Sequence, residues 1–340
     1  MSELMISPAE KSRTVQNIVL RKIRDLIGTD SDMAQELAAV LDIGIHSAYR
    51  RIRSDIFFRL DELEKLIKHY DLNFFEDISQ STSTYLFHGP MLDVSIWDYR
   101  LHLNDYANYI EEFKKAGVIS ISYCGLDMTP LAIMSSPYLL AFQEYFFNYT
   151  LSSKTIPPST FFSLDDVDTD IVKLSKIFLG FLQTVPCTDI LSKACLNPIL
   201  GQIQYMKETH RFASQKDINI VYDELERILD WYETQSAGGY RITKSGEKVE
   251  PEVRFSLYNS ELYFSDNNFY VETRQKNFAA VKHSFFSYMF TYHDDFVALN
   301  RDLVQAAISK SQPLSATNEK GRITFFNNLR TRIKESRNSV

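Results

Sequence analysis

The 340-residue chain is long enough for two or three domains of ordinary size, and its 44% apolar and 13% aromatic residues suffice for packed cores, which excludes a disordered chain. A formal net charge of −7 excludes a protein that is basic throughout, so any nucleic-acid contact has to be a local patch. Three scattered cysteines, Cys124, Cys187 and Cys195, are odd in number and lack histidines at ligand spacing, so they read as buried thiols in a reducing compartment. The opening residues, MSELMISPAEKSR, carry charges where a secretory signal needs an apolar run, and no uninterrupted apolar stretch of about 18 residues occurs. The expectation is a cytoplasmic protein with no membrane partner.

Residues 14–27 place Val15, Ile18, Val19, Ile23, Leu26 and Ile27 on one helical stripe, with Arg21, Lys22 and Arg24 on its outer side. Gly28 ends that helix, and residues 29–31 offer side-chain oxygens to cap the next. Residues 32–42 then bring Met33, Leu37, Val40 and Leu41 to one face, with Ala34 and Ala38 small enough for a second helix to cross closely. Asp42, Ile43 and Gly44 break the period, and Gly44 is expected to take the unusual backbone angle of the turn. A further helix starts near Ile45. Its Tyr49 and Ile52 are spaced to face inward, leaving Ile45 near its start and His46, Ser47, Arg50, Arg51, Arg53 and Ser54 directed away from a core. Arginines on such a face can meet the two acceptors of a guanine or hold phosphate oxygens. The bland alternative is that Arg50, Arg51 and Arg53 are solvated or pair with Asp55 and Asp61. Leu60, Leu63, Leu66, Ile67 and Tyr70 form a fourth stripe, and Phe74, Phe75 and Ile78 follow as a cover for the open end of the bundle.

The order of these elements resembles the Cro and lambda-repressor type of helix-turn-helix domain, over roughly residues 12–79. The likeness is carried by the Leu37-Ala38 pair, Leu41 before the turn, the Tyr49 and Ile52 pair, and the closing run RLDELEKLIKHYDLNFFEDI. It departs from the family at Asp42, where Gly is usual, and at Gly44, where a Ser or Thr cap is usual, and the turn is about one residue longer. Tyr-Arg-Arg-Ile in the third helix, followed by a long aromatic-rich region, looks like a group of bacterial regulators. What the resemblance implies is an all-α DNA-binding domain whose third helix enters the major groove.

Residues 80–83 lie in the polar run SQSTS and serve as the linker between a domain at 1–79 and a larger region at 84–340. In the larger region residues 84–88 alternate as a short strand. Residues 96–116 form a helix with Trp97, Leu101, Ala107, Tyr109, Ile110 and Phe113 on one broad face, followed by a strand at 118–123. Apolar helices are expected at 138–151, 170–185 and 189–212, and another at 217–235, so that 91–237 is mostly helical. The period then changes to alternation. Short stretches at 253–259, 261–264, 269–273 and 278–283, split by Asn and Asp, predict a small antiparallel β-meander over 253–283. Helices at 294–309 and 321–335, joined by a polar loop with Pro313, complete the C-terminal stretch 294–337. The fold class is therefore α+β, with an all-α N-terminal bundle.

Asp166, Asp168 and Asp170 have the spacing that opens a calcium loop, but Ile171 and Ile177 stand where it needs Gly and Glu, so an acidic helix N-terminus is the better reading. His293, Asp294 and Asp295 likewise suit a helix start better than a metal site. Phosphate loops, nucleophile elbows and zinc-protease helices are missing from the sequence, so no catalytic residue, cofactor or metal ligand is assigned. The last helix opposes Arg322, Arg330, Arg332, Lys334 and Arg337 to Ile323, Phe325, Phe326, Leu329 and Ile333; it suits either DNA phosphates or docking on the acidic remainder of the protein. The expected function is a sequence-specific transcriptional regulator that contacts double-stranded DNA through Ile45, His46, Ser47, Arg50, Arg51 and Arg53. Its larger region would form a homodimer, sense a small-molecule effector, or both. Two other classes stay open: an enzyme or toxin-antitoxin component that the helix-turn-helix merely positions, and an interaction module that binds protein rather than DNA.

Overall fold

Helical periodicity near the N-terminus and a mixture of helical and alternating stretches after it divide the chain into two units, Met1–Leu86 and Phe87–Val340. The computed structural model describes residues 15–70, 72, 85–89, 98–151, 160–165, 167–262, 267–284 and 287–339. The expected linker at 80–83, the expected cover of Phe74, Phe75 and Ile78, and Trp97 lie outside these residues.

The described part of the first unit is helical. Helix α1 (Val15–Ile27) buries Ile18, Val19, Leu20 and Ile23, whereas Val15 and Leu26, expected on the stripe, are exposed. Gly28 closes it at φ 101°, and Thr29 caps α2 (Asp30–Leu41) by accepting the Asp32 N–H at 3.2 Å. Met33, Ala34, Leu37 and Leu41 are buried from α2. The turn differs from the sequence expectation. Asp42, not Gly44, takes the left-handed conformation, at φ 56° and ψ 51°, while Gly44 sits at φ −66° as the N-cap of α3 (Ile45–Ile52). The Asp42 N–H reaches Ala39 O at 3.4 Å and the Ile43 N–H reaches Ala38 O at 3.0 Å, so two carbonyls left open at the end of α2 are satisfied in a Schellman arrangement. Helix α4 (Leu60–Tyr70) contributes Leu66 to the same core, while its first residue, Leu60, is exposed.

In the second unit, α5 (Tyr99–Ala116) leads into β1 (Val118–Cys124), and α6 (Pro130–Met134), α7 (Pro137–Leu151) and α8 (Thr169–Thr184) lead into β2 (Cys187–Leu191). Helices α9 (Asn197–Glu208) and α10 (Gln215–Gly238) precede β3 (Phe255–Asn259). Then come β4 (Asn268–Thr273), β5 (Phe278–Lys282), β6 (Tyr288–Thr291), α11 (Asp294–Lys310), β7 (Gln312–Pro313) and α12 (Glu319–Asn338). The strands form one seven-stranded sheet in the order β6-β5-β4-β1-β2-β3-β7. Its centre is parallel, β1 to β2 to β3, because each pair is joined by a helical crossover; β4, β5 and β6 extend it antiparallel from β1. The pleat sends alternate side chains to two faces. Ile121, Tyr123, Cys187, Leu191, Val271 and Phe278 join the large core beneath the helices, while Cys124, Ile190, Tyr270 and Ala279 meet Val297, Val304 and Ala307 of α11.

The protein is thus a mixed α and β chain, but its sheet is larger than a meander. Residues 253–259 were expected to open that meander; instead β3 pairs parallel with β2, since alternation marks a half-buried strand without naming its partner. The helix expected at 189–212 begins only at Asn197. Cys187–Leu191 is strand, and Pro198 stands in the first turn of α9, where a missing N–H costs nothing. Leu101, expected on the inner face of α5, is exposed, and Pro313 lies in β7 beside Tyr258. Of the strand expected at 84–88, only His88 is paired, in a bridge to Phe290; residue 84 lies outside the described residues. Residues 261 and 262 of the strand expected at 261–264 are bends. Among the described residues no helix is long and apolar enough to cross a membrane.

Candidate nucleic-acid interface

Helix α3 is amphipathic with a small inner face, so what holds it in place is largely polar. Arg51, expected to point outward, is buried at 7% exposure. Its Nε donates to Glu62 Oε2 at 3.0 Å and its Nη2 to Glu62 Oε1 at 2.7 Å, a two-point fork between α3 and α4. Nη1 donates to Ser47 Oγ at 2.6 Å, so the half-buried Ser47 is engaged within its own helix. The reason is spacing: Arg51 lies three residues after Ala48, which is fully buried, and so shares the inner face that Tyr49 and Ile52 only flank. Glu62 also accepts the Arg59 N–H at 3.0 Å, capping the start of α4.

Gln16 of α1 does the same for the segment after α3. Its side chain, 5% exposed, donates to Arg51 O at 2.8 Å and Ile56 O at 2.9 Å, and accepts the Phe58 N–H at 2.7 Å. Sequence reasoning missed it. The signal was a glutamine three residues before Val19 and seven before Ile23, on the apolar stripe itself.

With Arg51 withdrawn, the outer face of α3 carries His46, Arg50 and Arg53 at successive i, i+4 and i+7 positions, all exposed, with Ile45 exposed beside them. Arg53 lies 3.4 Å from Asp55, with both side chains largely in solvent, and so is weakly held. Among the described residues Arg50 has no ion-pair partner. On α1, Arg24 pairs with Asp30 at 2.9 Å in an exposed contact. This face therefore offers two guanidinium groups and an imidazole, together with an apolar side chain, on a helix whose back is fixed.

The other basic helix is already occupied. In α12, Arg330 pairs with Asp230 and Glu233 at 2.6 Å each, Arg337 with Asp223 at 2.7 Å, and Arg332 donates to Asn197 Oδ1 at 2.7 Å. Arg322, 9% exposed, donates to Leu314 O at 3.2 Å. Of the two uses expected for this helix, docking on acidic residues is the one observed, with Phe325, Phe326, Leu329 and Ile333 buried beneath it.

Titratable groups in the second unit serve local structure. Asp168 caps α8 through the Asp170 N–H at 2.7 Å, and Asp166 lies outside the described residues. His293 begins α11 without a side-chain capping bond, with Asp294 and Asp295 in the first turn. Ser136 Oγ donates to the buried Glu224 carboxylate at 2.7 Å, and Arg227 pairs with the same group. Glu224, Arg227 and Ser136 share a cavity of about 580 Å³ with Lys244, whose Nζ stands 4.0 Å over the Trp231 ring. Desolvation pulls the Lys244 ammonium down to a pKa of about 8, against the opposing charge of Glu224, although the residue as a whole is exposed. Burial pushes the thiols of Cys124 and Cys195 up to about 11 and about 12, so both stay un-ionised and unreactive near neutrality. Among the described residues no group of three or more His, Cys, Asp or Glu is placed to hold a metal ion. Comparison with models of protein families, with curated proteins and with solved structures found no match.

Proposed function

We propose that this chain is a sequence-specific, DNA-binding transcriptional regulator in which α2, the turn at Asp42 to Gly44, and α3 act as a helix-turn-helix. The observation that carries the reading is the exposed row of His46, Arg50 and Arg53 on a helix whose opposite side is locked by the Arg51–Glu62 fork. A rigid back matters because base-edge contacts are short and directional, so a helix that is already positioned loses little on binding. In this reading Arg50 and His46 meet base edges in the major groove, Ile45 packs on a thymine methyl or the backbone, and Arg53 holds a phosphate. Ser47 and Arg51 support the helix rather than touch DNA. The larger unit brings two chains together, since one such helix covers few bases and two half-sites about one DNA turn apart combine their binding energies.

The test is selection of genomic fragments by the purified full chain, followed by affinity measurement on the enriched site. Arg50→Ala is expected to weaken binding by about 1–3 kcal/mol and to relax the preference at one position, whereas Arg53→Ala weakens all sequences alike. Absence of an enriched motif, or an Arg50→Ala variant with unchanged affinity and preference, would overturn the reading. Sedimentation of the full chain as a monomer, both free and on the site, would remove the two-chain part alone.

A further inference from the structure

In open sheets with parallel strands, ligands bind beyond the carboxyl ends of those strands, at the point where the strand order reverses. In the second unit that place lies beyond Cys124 of β1 and Leu191 of β2, where the sheet also changes from its parallel to its antiparallel half. A cavity of about 560 Å³ occupies it, lined by Asp127 and Met128 after β1 and by Cys195 and Ile199 after β2. Its volume falls within the range of small-molecule sites, roughly 300–1,000 Å³.

Three features define what it would take. Most of the wall is apolar or aromatic, with Phe146 and Phe147 from α7, Met134 from α6 and Tyr205 from α9. The only charged lining residues among the described ones, Asp127 and Lys282, neutralise each other at 2.6 Å. Asp127 is held further by Asn267 Nδ2 at 2.5 Å, and Asn267 Oδ1 in turn accepts the Tyr123 hydroxyl at 2.8 Å. With no cation in excess, the cavity does not suit a phosphate or a free carboxylate, which need unbalanced positive charge. The third feature is a pair of neutral amide side chains. Gln143 of α7 and Gln202 of α9 line the cavity among its apolar groups. An amide both donates and accepts, so it suits a neutral polar group on a ligand. A second, mostly apolar cavity of about 110 Å³ shares Pro130, Met134 and Tyr288 with the first, and its further wall includes Phe113, Phe278 and Phe290.

We propose that the carboxyl edge of β1 and β2 binds a small, uncharged, amphipathic molecule with an aromatic or branched body and one neutral polar group for the amides of Gln143 and Gln202. The site does not depend on DNA binding by the first unit. Nor is it a covalent site, because the Cys195 thiol at its wall is buried and un-ionised.

The probe is N-phenyl-1-naphthylamine, which is neutral, has two aromatic parts and carries one N–H. Titrated into the full chain, it should give a saturable, blue-shifted emission at one molecule per chain. Gly201→Trp blocks the cavity from α9, at a position where an added Cβ meets nothing within 4 Å, and Thr150→Trp blocks it from an exposed position on α7. Each should weaken the probe by about tenfold or more at unchanged thermal unfolding, and Gln202→Leu by about fivefold. The sulfonated analogue 8-anilinonaphthalene-1-sulfonate should bind about tenfold more weakly than the neutral probe. A signal that does not saturate, or binding untouched by both tryptophan variants, would overturn the site. A sulfonate that binds as tightly as the amine would overturn the uncharged class.

Discussion

Asp42 shows how one residue can hold a turn at a cost. An L-residue in the left-handed region is strained by its Cβ, and aspartate tolerates it better than most because of its short polar side chain. At φ 56° Asp42 still bears part of that strain, so Asp42→Gly is expected to stabilise the first unit by about 0.5–1 kcal/mol in chemical denaturation. A destabilised variant would mean that the Asp42 side chain holds the turn by a contact that outweighs the strain. Lys244 gives a second residue-level expectation, with a sign. Desolvation of its ammonium over the Trp231 ring, in a residue that is otherwise exposed, lowers its pKa in the folded chain from 10.5 to about 8, so between these values the unfolded chain binds more protons and stability rises with pH. The penalty is therefore complete below pH 8. Because Lys244 is exposed as a residue, solvent screens most of that penalty, and Lys244→Met should stabilise the protein by at most about 1 kcal/mol at pH 7, with the gain fading as pH rises toward 10.5. An equal gain at pH 7 and pH 10.5 would place the effect in packing over Trp231 instead.

Helix α3, Ile45–Ile52, is too short to stand alone and is held by its neighbours. The Schellman turn sets its entry, the Arg51–Glu62 fork ties it to α4, and Gln16 ties the segment after it to α1. A buried pair is costly to break from one side, because the remaining charge is left without compensation. Glu62→Leu is accordingly expected to destabilise the first unit by about 3 kcal/mol, and the double variant Arg51→Met with Glu62→Leu to recover most of that loss. Urea denaturation of both variants measures this, and a single variant within about 0.5 kcal/mol of the parent would mean that the fork does not hold the helix. DNA affinity adds a second readout. If Arg51 only supports α3, the folded double variant binds the selected site nearly as well as the parent.

For the whole molecule, electrostatics sets how DNA affinity responds to salt. The chain carries a net charge of −7 and is repelled by a polyanion at long range, so attraction must be local. Arg51 is committed to Glu62, and Arg330 and Arg337 of α12 are committed to acidic residues of α10. The exposed cations of the described first unit include Arg50, Arg53 and Arg59 in and after the reading helix, and Arg21 and Arg24 on α1. If about three or four reach phosphates, the logarithm of affinity should fall with the logarithm of salt at a slope of about −3 per chain. A slope near zero would show that phosphates are not the partner. One much steeper would implicate further cations, those of α12 first, and a slope reduced by Arg330→Ala would place that helix on the DNA.

The helical order of the first unit and its outward row of His46, Arg50 and Arg53 were legible in the sequence, because apolar period and residue type are local properties. The fate of Arg51 was not: whether a residue on the margin of a short helix faces water or a carboxylate depends on where α4 brings Glu62, eleven residues on. Gln16 was readable only in hindsight, as a polar residue on an apolar stripe whose partners, Arg51, Ile56 and Phe58, are distant in sequence. Most helices of the second unit could be read from their periodicity, and so could the alternation of β1, β4 and β5. The parallel centre of the sheet could not, since β2 is a short, buried run without alternation and β3 shows no preference for its neighbour. The cavity beyond β1 and β2 belongs to the same class of fact. Asp127, Gln143, Gln202 and Lys282 are spread over three elements and a loop, and each looks like an ordinary surface residue in sequence. Sequence by itself determined which segments are helical or alternating and where cations stand on a helix, because those depend on neighbours within a few residues. Only the tertiary structure decided which charges are spent on one another, which strands pair, and where a cavity remains, because those depend on groups that the chain brings together from afar.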